Sequence, residues 1–233
     1  MSGDGLKREA AERAVEREVQ SGMRLGLGSG STAMHMLDAL ADRLRDGRLE
    51  RLVGVPTSEG TAARARELGI PLAGLDGQPE LDVVIDGADE IDPQLRLIKG
   101  LGGAHLREKV VAAAGRRMVV IADESKLVSR LGERAPLPVE VIGFARPVCE
   151  RLLNRAGWRS ELRLADGSPF VTDEGNLILD CRRDAWDDPE RLAAELEQIP
   201  GVVAHGLFLG YAAAAVVATR SGVRVLEAPV AAP

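Results

Sequence analysis

Four short stretches of this 233-residue chain carry the residue types that acid–base chemistry and anion binding need. The first is DGADEID, Asp86 to Asp92, where Gly87 and Ala88 separate the carboxylates Asp86 and Asp89. It ends the apolar run LDVVID, and open α/β sheets bind ligands beyond the carboxyl ends of their strands. A divalent-metal loop and a solvated acidic turn are the rival readings. His35, His105 and His205 show no HxH or HExxH spacing, which weakens the metal reading. Mg²⁺ needs no histidine, so on residues alone that reading stays open.

The second stretch, KGLGGAHLREK, runs from Lys99 to Lys109. Gly100, Gly102 and Gly103 make a loop that a ligand can approach closely, with Leu101 between them, and the following helix carries Glu108. A lone glutamate in a first helical turn complements the helix dipole and does nothing more. Joined by Lys99 and two loop acids at one sheet edge, it becomes an acid–base set with a cation for oxyanions.

The third, GLGSGST, runs from Gly26 to Thr32. Ser29, Gly30, Ser31 and Thr32 bring small residues, hydroxyls and the amides of a helix start, which together favour a phosphate. A glycine turn with a Ser/Thr helix cap is the plain alternative. Ser31 stands where a dinucleotide fingerprint needs its third glycine, and no Gly-Lys-Ser/Thr follows, so a compact phosphate monoester fits better than a nucleotide. The fourth, DESKL, puts Lys126 just after a strand, placed for phosphate or facing solvent. Neither cysteine has a histidine close by in sequence, and GxSxG is absent, so thiol or serine nucleophiles are not expected.

These groups must be held by a scaffold. Strands MRLGLG, LVGVP, PLAGL, LDVVID, LRLIKG and RMVVIAD alternate with helical stretches, the pattern of βαβ units around a parallel sheet. GERAPLP, Gly132 to Pro138, reads as a hinge by composition. Beyond it the order is β-α-β-β-α-β, that of a ferredoxin-like split unit, and the tail AAAAVVATRSGVRVLE reads as two strands. The expected organisation is α/β: a Rossmann-like domain of residues 1–131 completed by 207–233, with an inserted α+β lid and oligomerisation domain over 132–206.

Composition bounds the rest. At 45% hydrophobic, 28% charged and a formal charge of −6, the chain reads as a soluble globular protein without a basic footprint for nucleic acid. With 3% aromatics, base stacking is a poor prospect. The amphipathic first 25 residues read as a helix and not as a signal peptide, and no apolar run has membrane-span length. Two cysteines without a CxxC pair point to a reducing, cytoplasmic compartment. Only four of the 30 basic residues are lysines, namely Lys7, Lys99, Lys109 and Lys126. In so arginine-biased a chain, each lysine suggests a place where a compact ammonium is wanted.

In order and spacing, GLGSGSTA, TSEGT, DGADEID, KGLGGAHLREK, ADESKL, LPVEV, TDEGNLILD and IPGVVAHGLF resemble the ribose-5-phosphate isomerase type A family over nearly the whole chain. The resemblance implies a homodimer or homotetramer that interconverts D-ribose 5-phosphate and D-ribulose 5-phosphate, with no metal and no cofactor. It implies that Glu108 shuttles the proton. Asp86 and Asp89 bind the sugar, Asp86 also serving ring opening and hydroxyl proton transfer. It gives Lys99, Gly100, Leu101 and Gly102 as one substrate loop and Ser29, Gly30, Ser31 and Thr32 as another near the phosphate, with Lys126 and Lys7 facing the site. Three departures accompany it: Leu101 stands where glycine is common, His105 replaces a small or apolar residue, and no acid follows GLF closely. A CoA transferase using Glu108 as nucleophile and a sugar-phosphate sensor are the alternatives. The chain is short for the first and lacks a DNA-binding module for the second.

Overall fold

The computed structural model describes residues 3–76, 80–184, 186 and 188–229; residues 1–2, 77–79 and 230–233 of the expected first domain and 185 and 187 of the expected insert lie outside them. In chain order, α1 (Gly3–Glu18) precedes β1 (Arg24–Leu27), α2 (Ser31–Arg45), β2 (Val53–Pro56), α3 (Glu59–Glu67) and β3 (Val83–Asp86). Next come two short strands, β4 (Glu90–Ile91) and β5 (Leu97–Ile98), then α4 (His105–Ala114) and β6 (Met118–Asp123). The middle of the chain holds β7 (Leu137–Val141), α5 (Arg146–Arg155), β8 (Arg159–Leu162), β9 (Leu164–Ala165), β10 (Ser168–Pro169) and β11 (Leu177–Arg182). It closes with α6 (Pro189–Glu197), β12 (Val202–His205), β13 (Leu207–Phe208), β14 (Ala212–Thr219) and β15 (Gly222–Glu227).

The chain packs as two units. Met1–Ala88, Arg107–Lys126 and Gly210–Pro233 form the first; Asp89–Leu106 and Leu127–Leu209 form the second. Residues 89–106, 127–131 and 207–209, expected in the first domain, therefore pack with the second unit. The cause is the short strand in LRLIKG. Read from sequence as a member of the parallel sheet, β5 instead pairs antiparallel with β4 and β13 in a separate three-stranded sheet.

The first unit is built on a sheet of order β15-β14-β6-β3-β1-β2. All neighbours are parallel except the β14–β15 hairpin. Strands covered on both faces must be continuously apolar, and Val83, Val84 and Ile85 of β3 and Val119, Val120 and Ile121 of β6 are all at most 2% exposed. Helix α1 offers the small residues Ala10, Ala11 and Ala14, none exposed, which let it pack closely on α2, β6 and β14. PLAGL, expected as a strand, supplies only one bridge, Leu72 to Gly54.

The second unit carries a four-stranded antiparallel sheet of order β12-β7-β11-β8, the ferredoxin-like arrangement its β-α-β-β-α-β order requires. Cys149, Leu153, Leu179, Cys181, Leu192 and Leu196 belong to its core. Burial pushes both thiols above the usual cysteine value, which leaves them unreactive. Helix α6 starts on Pro189, with the Asp188 carboxylate accepting from the Arg191 N–H at 2.9 Å.

The segment read as a hinge is firmly tied. Pro138 lies inside β7, in register with Asp180. The buried Glu90 carboxylate accepts from the N–H groups of Gly132, Arg134 and Ala135, each at 2.7 Å. Three charge-assisted bonds to backbone hold the first part of GERAPLP, and the β7 ladder holds the rest. Replacing Glu90 with Gln offers those donors one oxygen in place of two and adds an amide that opposes them. Glu90→Gln is expected to lower stability by about 1–3 kcal/mol, measured as a lower urea midpoint with unchanged far-UV circular dichroism before the transition.

Candidate active site

Parallel register puts three ligand-type positions of the first unit at one sheet edge. β1, β3 and β6 are adjacent, with Leu27 opposite Ile85 and Asp86 opposite Val120. Ser29 follows β1, Asp86 ends β3, and a 3-10 turn, Glu124–Lys126, follows β6. Asp86 has no exposed surface. Its Oδ1 accepts from the N–H of Ser29 at 3.0 Å and of Gly87 at 2.7 Å. A Cβ at position 28 would lie 2.2 Å from that oxygen and 2.5 Å from the Asp86 Cα. Glycine is needed there because the two chain segments touch.

Ser29 serves this arrangement through its backbone. Its hydroxyl is engaged in a cluster with Thr57, Ser58 and Thr61, at 2.7, 2.8 and 3.1 Å. The Thr57 hydroxyl also donates to the Leu27 carbonyl, and that of Thr61 to the Gly28 carbonyl, both at 3.0 Å. The TSEGT stretch thus buttresses the GLGSGST turn, and Ser58 caps α3 as well. Gly30 is the N-cap of α2 with φ at 90° and gives no side-chain cap bond, so the amides of Ser31 and Thr32 start the helix. Lys7 on α1 donates to the Ser31 hydroxyl at 2.9 Å, which brings an ammonium to the helix start where an anion would sit. Lys126 is partly exposed at the end of its turn. Glu108 lies in the first turn of α4, 5% exposed.

The second unit organises the lysine loop. The Lys99 N–H donates to the Gly206 carbonyl at 2.9 Å, and Nζ stands 5.5 Å from the centre of the Phe208 ring. Lys99 is 2% exposed. The Leu101 N–H donates to Asp89 Oδ2 at 2.9 Å, so the carboxylate and the loop share one geometry. Leu101 keeps an ordinary backbone outside the left-handed region, and its side chain is 43% exposed. A leucine therefore fits where the family pattern has glycine. Gly103, with φ at 83°, lies against Phe170; a Cβ there would be 2.4 Å from the ring.

His105 is fully buried, 3.6 Å from Glu140 Oε2. Glu140 Oε1 accepts from Thr172 Oγ1 at 2.8 Å and Asn176 Nδ2 at 3.0 Å. Burial raises the Glu140 carboxyl above the usual range, opposed by those two hydrogen bonds. LPVEV, which forms β7, and the TDEGN turn, both parts of the family pattern, thus meet beneath the helix start. Sequence reasoning left two functional-looking side chains unmarked, Arg163 and Asp180. Arg163 donates to the carbonyls of Gly100 and Leu101; it lies in none of the motifs, and Asp180 is the last residue of TDEGNLILD, a stretch to which the sequence assigns no chemistry. Among the described residues, no three His, Cys, Asp or Glu gather as a metal-binding group, and no helix is long and apolar enough to cross a membrane.

Residues 53–222 match the family model described as ribose 5-phosphate isomerase A (phosphoriboisomerase A). The chain is 63% identical over 227 residues to ribose-5-phosphate isomerase A of Roseiflexus sp. (strain RS-1), covering 97% of each. Among solved structures, it is similar to a D-ribose-5-phosphate isomerase in complex with phospho-erythronic acid, with a TM-score of 0.94 and 39% identity over 97% of this chain and 100% of that one. The ribose 5-phosphate isomerase A of Methanocaldococcus jannaschii aligns with a TM-score of 0.92 and 41% identity, again over 97% and 100%.

Two measurements check the geometry. Gly28→Ala is expected to cost about 1–3 kcal/mol of stability, read from urea unfolding, because Asp86 and the strand beneath it must move. For Glu140, the folded state holds a proton that the unfolded chain has released, so stability falls as pH rises through that window. Glu140→Gln keeps the accepting oxygen and removes the slope. Its urea midpoint relative to wild type is expected to rise as pH is taken upward from the usual carboxylate range. A falling difference would show that attraction to His105 outweighs burial.

Proposed function

The chain belongs to the ribose 5-phosphate isomerase A family and interconverts D-ribose 5-phosphate and D-ribulose 5-phosphate, and from that premise we propose how its residues divide the work. The reaction, a step of the non-oxidative pentose phosphate pathway, moves a hydrogen between C2 and C1 through an enediolate. The proton removed is weakly acidic, so a positioned base and a stabilised oxyanion are both required.

Glu108 is the base. It takes the proton from C2 of the aldose and returns it to C1, a transfer worth about 10²–10⁴-fold as general acid–base catalysis. Asp86 assists ring opening and carries the hydroxyl proton. The observation that carries this reading is the double N–H clamp on Asp86 Oδ1, which fixes the carboxylate before any substrate arrives. Lys99 and the loop N–H groups of Gly100 and Gly102 receive the oxyanion, each such donor being worth about 10²–10³ in rate, while the Leu101 N–H holds Asp89. Asp89, with Gly87 and Ala88 beside it, holds sugar hydroxyls. Ser31 and Thr32 at the start of α2, with Gly30, Lys7 and Lys126, hold the phosphate, whose binding energy orients the reacting carbons. Ser29 acts through its N–H, since its hydroxyl is engaged elsewhere.

Phospho-erythronic acid, bound by a structural relative, is proposed to bind here also, because its planar carboxylate resembles the planar enediolate. No metal takes part in the proposed mechanism. A homodimer or homotetramer is part of the same proposal, supported by apolar surface on the second unit: Phe144 is 96% exposed, with Ile142, Val148 and Val203 each more than 40% exposed. Two free, buried cysteines support a cytoplasmic location.

The test is ribulose 5-phosphate formation in excess EDTA, wild type beside Glu108→Gln. Turnover is expected to survive the chelator and to fall in the variant by about 10²–10⁴-fold. Turnover lost to EDTA would overturn the metal-free mechanism, and an active variant would remove Glu108 from the base role.

A further inference from the structure

The Lys99 loop is braced by Arg163, which stands between β8 and β9. Its own backbone is fixed on both sides: its N–H donates to the Ile178 carbonyl, and its carbonyl accepts from the Phe170 N–H, both at 2.9 Å. The guanidinium meets Asp180 two-pronged, Nε to Oδ2 at 2.9 Å and Nη2 to Oδ1 at 2.5 Å. That grip leaves Nη1, which donates to the Gly100 carbonyl at 2.8 Å and the Leu101 carbonyl at 3.0 Å. The side chain is only 11% exposed. Phe170 flanks it, with the guanidinium carbon 5.9 Å from the ring centre, and the same ring abuts Gly103.

The direction of these bonds matters. In a trans peptide the N–H points opposite to the C=O. Fixing the carbonyls of Gly100 and Leu101 on the guanidinium therefore turns the N–H groups of Leu101 and Gly102 the other way. The Leu101 N–H duly reaches Asp89. A cation on a peptide oxygen also polarises that peptide and strengthens its N–H as a donor.

We propose that Arg163, braced by Asp180, is a positioning residue of the isomerase: it sets the peptide orientations of the Lys99 loop and, through Leu101, the Asp89 carboxylate. This rests on the loop's assignment to the oxyanion and sugar. Lysine cannot replace it, because one ammonium lacks the planar fork that grips Asp180 while reaching two carbonyls. A preorganised loop is needed chiefly where charge develops, so its loss is expected in kcat more than in KM.

Steady-state kinetics on Arg163→Lys, Arg163→Ala, Asp180→Asn and Lys99→Met test this, with binding of phospho-erythronic acid measured for each. Arg163→Lys and Arg163→Ala are expected to lower kcat by about 10–100-fold, with KM changed far less and affinity for phospho-erythronic acid reduced in parallel with kcat. Asp180→Asn moves the same quantities in the same direction. Millimolar guanidinium is expected to restore part of the activity of Arg163→Ala and none in wild type, a rescue that a purely structural role would not give. If Lys99→Met abolishes turnover while folded Arg163→Lys retains wild-type kcat, the positioning role is overturned and the loop assignment stands. If Lys99→Met turns over normally, the loop assignment itself falls, and the proposal with it. Should Arg163→Ala fail to fold, the kcat of Arg163→Lys and Asp180→Asn decides, a wild-type value in both overturning the proposal.

Discussion

A carboxylate that ends a fully buried strand must find hydrogen bonds at once, because burying it unpartnered is costly. Asp86 is that carboxylate, and the first unit is arranged around the solution. Two backbone N–H groups, from Ser29 and Gly87, supply the bonds. They are available only because β1 and β3 run parallel in a register that brings the turn after Leu27 beside Asp86. The same closeness removes any side chain at Gly28 and sends the Ser29 hydroxyl into the Thr57–Ser58–Thr61 cluster. Strand order, the small residues of the turn and the TSEGT stretch thus answer to one electrostatic requirement.

The second unit solves a different problem with the same kind of bond. Glycine-rich loops have little to hold them, and the entropy of ordering them opposes a defined site. Here the loop from Gly100 to Gly103 is gripped from several sides: Asp89 on an N–H, Arg163 on two carbonyls, Phe170 against Gly103 and the His105 ring against Gly100. The departures from the family pattern sit within this frame. Leu101 directs its side chain outward, and His105 finds a buried carboxylate in Glu140.

Much of this was legible in the sequence where the information is local. GLGSGST and DGADEID announce a turn and an acidic strand end because small residues, hydroxyls and acids are contiguous there. The β-α-β-β-α-β order sufficed for the ferredoxin-like sheet, since that topology follows from element order. What escaped depends on partners far along the chain. GERAPLP reads as a hinge because nothing nearby shows that Glu90, more than 40 residues upstream, will take its amides. LRLIKG reads as one more parallel strand because a short apolar run does not reveal which sheet it joins. Arg163 is one arginine among many, and only the fold brings it to Gly100, 63 residues away.

The place of β14 bears on how the chain is made. β14 lies between β6 and β15 in the main sheet, and Ala218 within it packs with Leu6 and Ala10 of α1. Helix α1 thus has part of its binding surface in a strand translated long after it. Domains fold as units during synthesis, generally from the N-terminus, but this one has an unfilled sheet edge at β6 until residues 212–219 emerge. The second unit, complete by Leu209, can close before its host does. Ribosomal pausing before β14 emerges would hold a nascent chain whose apolar β6 edge invites pairing with a neighbour, a point in its life at which chaperone contact is most useful.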